Sequence, residues 1–189
     1  MELTESYTLP ISQQRTWEAL NDTAVLRASI PGCESIEADG ENAFALSMSA
    51  SVGPVKARFK GRMLLTDIDA PQTYTIVFEG QGGVAGFGKG SARVVLESEG
   101  AEATKLTYTA SAQVGGKLAQ IGSRLVDGAA RKLAGEFFKR FIAQVSGGGD
   151  AAAETAAAAD TASNDDADAA SGEDQTKRKK SWTAWISKS

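Results

Sequence analysis

Apolar residues return every three or four positions between Lys117 and Val145, at Leu118, Ile121, Leu125, Ala129, Leu133, Phe137 and Phe141. That spacing predicts one long helix with a buried stripe. A second row, Val126, Ala130, Ala134, Phe138, Ile142 and Val145, widens the stripe, so the helix needs a broad concave surface to lie in. Gly122, Gly128 and Gly135 interrupt it, each costing about 1 kcal/mol against alanine. Three tolerated glycines imply close approach to a neighbour, or room beside the helix.

Upstream the period changes to two. Glu2–Leu9 alternates and reads as a strand, ended by Pro10. Ser12 is placed to cap a helix running to about Leu20, and Thr23 to cap a second over Ala24–Ser29, stopped by Pro31-Gly32. Six strands are then predicted, at about 34–38, 43–51, 55–68, 73–79, 90–99 and 105–114. Asp39-Gly40, Gly53-Pro54, Asp69-Ala70-Pro71, the Gly80–Gly88 stretch and Glu99-Gly100 separate them as turns.

The fold class expected is α+β: a curved antiparallel sheet gripping a long C-terminal helix. Alternation puts Phe44, Leu46, Met48, Val55, Ala57, Phe59, Gly61, Met63, Leu65, Tyr74, Ile76, Phe78, Ala92, Val94, Leu96, Leu106, Tyr108, Ala110 and Ala112 on the covered face and leaves the other face polar. A sheet folded round one helix leaves an apolar cavity between them, which small residues such as Ala57, Gly61, Ala110 and Ala112 would enlarge. Candidate ligand-binding residues are Phe44, Leu46, Phe59, Met63, Tyr74, Ile76, Phe78 and Tyr108 on the sheet, with Ile121 and Leu125 on the helix. Tyr74 and Tyr108 add hydroxyls that could meet a ligand carbonyl. A one-residue slip in any strand would exchange the inward set for the outward one.

Charge divides the chain into three. Residues 1–149 carry 15 Lys+Arg and 16 Asp+Glu, residues 150–176 carry eight acids and no base, and residues 177–189 carry five bases and no acid. The expected organisation is a domain over 1–146, an acidic Ala/Gly-rich disordered linker over 147–176, and a membrane-binding tip over 177–189. In that tip Lys177, Arg178, Lys179 and Lys180 precede Trp182, Trp185 and Ile186, which share one helical face. Bases near anionic lipid contribute about 1 kcal/mol each, and tryptophan favours the headgroup boundary. A solvated tail, or a peptide docking into another protein, is the competing reading. No signal peptide or roughly 20-residue apolar run is seen, so the expected location is cytoplasmic, peripheral on the inner face of the cell membrane.

Catalysis is not expected. The chain has no histidine and one cysteine, Cys33, which removes imidazole acid–base chemistry, histidine-ligated metal and a Cys–His pair. Asp67 and Asp69 read as turn formers. Gly83–Gly90 (GVAGFGKG) approaches a phosphate-binding loop, but Gly90 replaces the magnesium-binding hydroxyl and no helix follows. A flexible glycine hairpin is expected instead. Lys56, Arg58, Lys60 and Arg62 align on one face of one strand. They are either a solvated face balanced by neighbouring acids, or a docking stripe for an acidic partner or anionic lipid. Nucleic acid is not expected, because the domain is near neutral and no aromatic interleaves the stripe.

The element order resembles the START/SRPBCC class of hydrophobic-ligand-binding folds. Ile30-Pro31-Gly32-Cys33, Gly53-Pro54-Val55 with Phe59-Lys60-Gly61, the run Val114–Arg124 (VGGKLAQIGSR) and Glu136-Phe137-Phe138 sharpen this. Together they make residues 1–145 similar to the carbon monoxide dehydrogenase G-subunit family. The resemblance implies an accessory protein, without catalysis of its own, that brings a carbon monoxide dehydrogenase-type molybdenum hydroxylase to the membrane. With the cavity and the tail it leads to an expected ligand, a respiratory quinone (menaquinone or ubiquinone), and to no metal or covalent cofactor. A pure recruitment adaptor and a generic lipid or small-molecule binder are the alternatives.

Overall fold

The computed structural model describes residues 1–147. The expected linker and basic tip fall on residues 148–189, outside the described residues, apart from Gly147. Seven antiparallel strands form one sheet in the order β1-β7-β6-β5-β4-β3-β2. They are β1 (Glu2–Leu9), β2 (Cys33–Ala38), β3 (Ala43–Val52), β4 (Val55–Asp69), β5 (Thr73–Gln81), β6 (Phe87–Ser98) and β7 (Thr104–Gly115). Two short helices, α1 (Gln13–Leu20) and α2 (Thr23–Ser29), carry the chain from β1 at one edge to β2 at the other. From there the strands meander back until β7 pairs with β1.

The helix caps follow from local chemistry. Ser12 caps α1, its hydroxyl accepting from the Arg15 N–H at 3.4 Å. The expected Thr23 cap of α2 is corrected to Asp22, whose carboxylate accepts from the Ala24 and Val25 N–H groups at 2.8 and 3.4 Å. A carboxylate satisfies two orphan donors and favours the positive end of the helix, so Thr23 becomes the first helical residue.

The expected single helix from Lys117 is two. A single turn, α3 (Lys117–Gln120), precedes α4 (Ser123–Gly147), and Gly122 between them has φ +93°. Only glycine takes that conformation cheaply, so the helical periodicity read across Ile121 joins two elements. Burial on α4 is also uneven. Phe138, Phe141 and Val145 near its C-terminal end are buried, whereas Leu125 is 50% exposed. The C-terminal half is therefore the docked half, with Phe138 stacked on Tyr7 at 4.0 Å between ring centroids.

Register sorts the inward residues into cross-strand rows. Tyr74, Val94, Tyr108 and Glu5 form one, and Leu65, Ile76, Ala92, Ala110 and Leu3 the next. The third row holds Phe44, Met63, Phe78, Gly90 and Ala112. In the fourth, Gly61, Gly80 and Gly88 sit side by side between Leu46 and Val114, leaving a strip of concave surface without side chains. The core thus fills the end of the grip near Leu9, Leu96, Leu106 and Phe141, each at most 2% exposed, and thins toward the glycine row. The opposite face is less polar than expected, because Leu64 and Val77, paired across β4 and β5, are 41% and 44% exposed.

Candidate functional site: a cavity between sheet and helix

Between the sheet and α4 lies a cavity of about 260 Å³. Phe44, Met63, Leu65, Tyr74, Ile76, Ala92, Val94, Leu106 and Tyr108 form its sheet wall. Leu20, Leu26 and Ile30 close one side, and Ala134, Phe137 and Phe138 of α4 form the roof. Ala92 and Ala134 are the small residues that leave the space, rather than Ala57, Gly61, Ala110 and Ala112. Five predicted ligand-binding residues meet here: Phe44, Met63, Tyr74, Ile76 and Tyr108.

Leu46, Phe59, Phe78, Ile121 and Leu125 do not line this cavity. Parity places the first three on the correct face, with Phe78 in the row of Phe44 and Met63, Leu46 in the glycine row and Phe59 beyond it. Phe78 lies over Gly90, its Cζ 3.0 Å from where a β-carbon would stand, and the Phe59 ring covers Gly82 in the same way. Leu125 and Ile121 sit over Gly53 in the β3–β4 turn, Leu125 Cδ1 being 3.5 Å from a Cβ built there. Phe59, Ile121 and Leu125 thus stand at the open end of the grip, beyond the glycine row.

The polar chemistry of the wall rests on tyrosine and on one carboxylate that hydrophobic patterning overlooks. Glu5 shares the inward parity of Leu3 and Tyr7 and opposes Tyr108 across the β1–β7 pair. Its Oε2 accepts from Tyr7 at 2.7 Å and from Tyr108 at 3.1 Å. Burial, reinforced by this carboxylate, pushes Tyr7 up to about 12 and Tyr108 upward as well. Burial alone raises Tyr74, which is 3% exposed and meets Trp17 edge-on at 5.2 Å. Tyr108 is thus committed to Glu5. The Tyr74 hydroxyl has no hydrogen bond to a described side chain, and it is not the sealed orphan either, which is Asp127 Oδ1. It remains the uncommitted donor of the wall, protonated at neutral pH.

The basic stripe divides in two. Arg58 pairs with Glu34 at 2.8 Å and Arg62 with Asp39 at 2.9 Å, on the convex face. The Ser49 hydroxyl bond, more than Arg58, holds the Glu34 carboxyl below its ordinary range. Lys56 and Lys60 are exposed on the same strand. The glycine hairpin is also different from the sequence reading. β5 and β6 pair as far as Gln81 and Phe87, leaving only residues 82–86 as a turn. That turn is pinned, not free: a β-carbon on Gly86 would meet Gly115 O at 2.0 Å. Among the described residues no group of acidic, histidine or cysteine side chains could hold a metal, and no helix is long and apolar enough to cross a membrane.

A sheet gripping a helix over an apolar cavity is the START/SRPBCC-type helix-grip fold. A START superfamily protein from Mycobacterium smegmatis shares it at a TM-score of 0.59 and 13% identity, over 77% of this chain and 97% of that one. The Zhui aromatase/cyclase from Streptomyces sp. R1128 does so at 0.59 and 12%, over 77% and 93%. A conserved protein from Geobacillus kaustophilus is nearer, with 33% identity and a TM-score of 0.73 over 77% of this chain and 95% of that one. Residues 6–146 match the family described as the G subunit of carbon monoxide dehydrogenase (CoxG), and the chain belongs to that family. Among curated proteins none matches the sequence significantly.

Proposed function

We propose that this protein carries the ring of a respiratory quinone in the sheet–helix cavity, serving a carbon monoxide dehydrogenase-type molybdenum hydroxylase at the cytoplasmic membrane. The observation that carries this reading is the cavity itself: apolar, walled by Phe44, Tyr74, Tyr108, Phe137 and Phe138, with one uncommitted hydroxyl. At about 260 Å³ it exceeds the roughly 150 Å³ that holds benzene but falls below the roughly 300 Å³ of drug-sized sites. That volume suits a one- or two-ring headgroup, and an isoprenoid chain would leave along the glycine row. Tyr74 would donate to a ring carbonyl.

The family supplies the enzyme partner, since its members are described as part of carbon monoxide dehydrogenase. Basic residues 177–180 beside Trp182 and Trp185 support attachment to anionic lipid. No catalytic step is assigned to the protein. Mass spectrometry of an organic extract of the purified full chain tests the cargo. Stoichiometric quinone is expected; an extract holding neither quinone nor other apolar molecule would leave the adaptor reading in its place.

A further inference from the structure

The turns of the sheet fall at two ends, and charge is divided sharply between them. At one end lie the β2–β3, β4–β5 and β6–β7 connections, with Asp39, Glu41, Asp67, Asp69, Glu97, Glu99 and Glu102. At the other lie the Gly53-Pro54 turn, the 82–86 turn and the Gly116–Gly122 segment around α3. No acid occurs at 42–66, 80–96 or 103–126, whereas Lys56, Lys117 and Arg124 are exposed beside that second end. The acids toward that end are Glu34, paired with Arg58 at 2.8 Å, and Glu79, paired in register with Arg62 and Lys89 on the convex face. With them are the exposed Glu2 at the start of edge strand β1 and Asp127, one of whose oxygens is sealed from solvent.

The same end shows large apolar side chains to water. Val84 is 85% exposed, Leu125 50% and Phe87 44%. Val84 stands at the tip of a single helical turn, Gly83–Ala85, whose Ala85 is buried beneath it. Gly86 and Gly116 hold that turn against the start of α3, since a β-carbon on Gly116 would meet Gly86 Cα at 2.6 Å. The exposure of Val84 is therefore built into a rigid support. Leu125 reaches the same end from α4, over Gly53.

We infer that this end of the domain is a second membrane-contact surface, in which Val84, Phe87 and Leu125 enter the headgroup layer of an anionic bilayer. Lys56, Lys117 and Arg124 meet the lipid phosphates. Apolar groups ringed by bases fit the boundary between headgroups and acyl chains, and the acidic end is repelled outward. The domain is thereby oriented with the open end of its grip toward the lipid. This rests on the membrane part of the reading above and assigns it a face.

The test uses the full chain with Cys33→Ala, carrying an NBD fluorophore at Val84→Cys or, as the control at the acidic end, at Ala101→Cys. Vesicles of phosphatidylcholine with phosphatidylglycerol are compared with phosphatidylcholine alone, and co-sedimentation is read on the same samples. The expected result is sedimentation with the anionic vesicles, with a blue shift and brightening at 84 and none at 101. Sedimentation with both labels still in water overturns the face while sparing attachment through residues 177–189. Equal shifts at both positions overturn it too, as does a response at 84 only when the dehydrogenase is added, which marks a protein-docking surface. Failure to sediment overturns both the face and the membrane reading.

Discussion

Filling the cavity from the helix side should stabilise the protein and abolish binding together. Ala134→Leu places three more carbons in a space bounded by Phe137, Phe138 and Tyr108. Both residues are good helix formers, so the change in α4 itself is small. Three carbons at about 0.8 kcal/mol each give about 2.4 kcal/mol when fully buried. Ala134 is only partly buried, so the expected gain is about 1–2 kcal/mol. For a domain of this size that is a rise in Tm of roughly 2–8 °C. Urea unfolding of ligand-free protein at constant m-value measures it, alongside a titration with a short-chain quinone. If the space were already filled by side-chain motion, the extra carbons would overpack it and cost about 1–3 kcal/mol. A loss of stability on Ala134→Leu would thus refute the cavity, and gain of stability with unchanged quinone affinity would refute its use.

Other perturbations test other parts of the account. Tyr74→Phe should weaken 1,4-naphthoquinone about 5- to 10-fold, one neutral hydrogen bond, and leave naphthalene unchanged; equal effects on the two would remove Tyr74 as the donor. Asp22→Ala should cost about 1 kcal/mol in urea unfolding and Thr23→Ala measurably less. Phe141→Ala, at a fully enclosed position, should cost about 3–5 kcal/mol, and a loss under 1 kcal/mol would mean that the C-terminal half of α4 is not docked. All three tyrosines have raised pKa values in the fold, Tyr7 to about 12. A raised folded pKa gives stability that is complete below pH 10 and is lost as pH climbs through about 12. Phenolate absorbance at 295 nm should therefore stay flat at pH 10 in folded protein, and half-ionisation there would contradict the burial of these rings.

Alternation carried most of the sheet into view. The succession of strands along the chain, the inward parity of Phe44, Met63, Tyr74, Ile76 and Tyr108, and the helix laid across them follow from periods of two and 3.6. What parity could not give is position along the groove. Phe59 faces inward as correctly as Met63, yet covers Gly82 beyond the glycine row, and Phe78, though the register partner of Met63, lies over Gly90 rather than in the cavity. The break at Gly122 was hidden for a related reason: Ile121 and Leu125 keep helical spacing while the backbone between them turns left-handed. Glu5 was missed because a carboxylate among inward apolar residues reads as an interruption. Its signal was the parity shared with Leu3 and Tyr7, together with tyrosine hydroxyls in need of an acceptor. The pinning of the glycine turn against Gly115 and Gly116 joins segments some thirty residues apart, which no local pattern reports.

The most direct test of the central claim is a heteronuclear NMR titration of the ligand-free full chain with a short-chain naphthoquinone, following aromatic and methyl signals. Shifts should be confined to the cavity, with Phe44, Ile76, Tyr74, Phe137 and Phe138 saturating together at one affinity. Unshifted cavity signals, or shifts confined to the convex face around Leu64 and Val77, would contradict it.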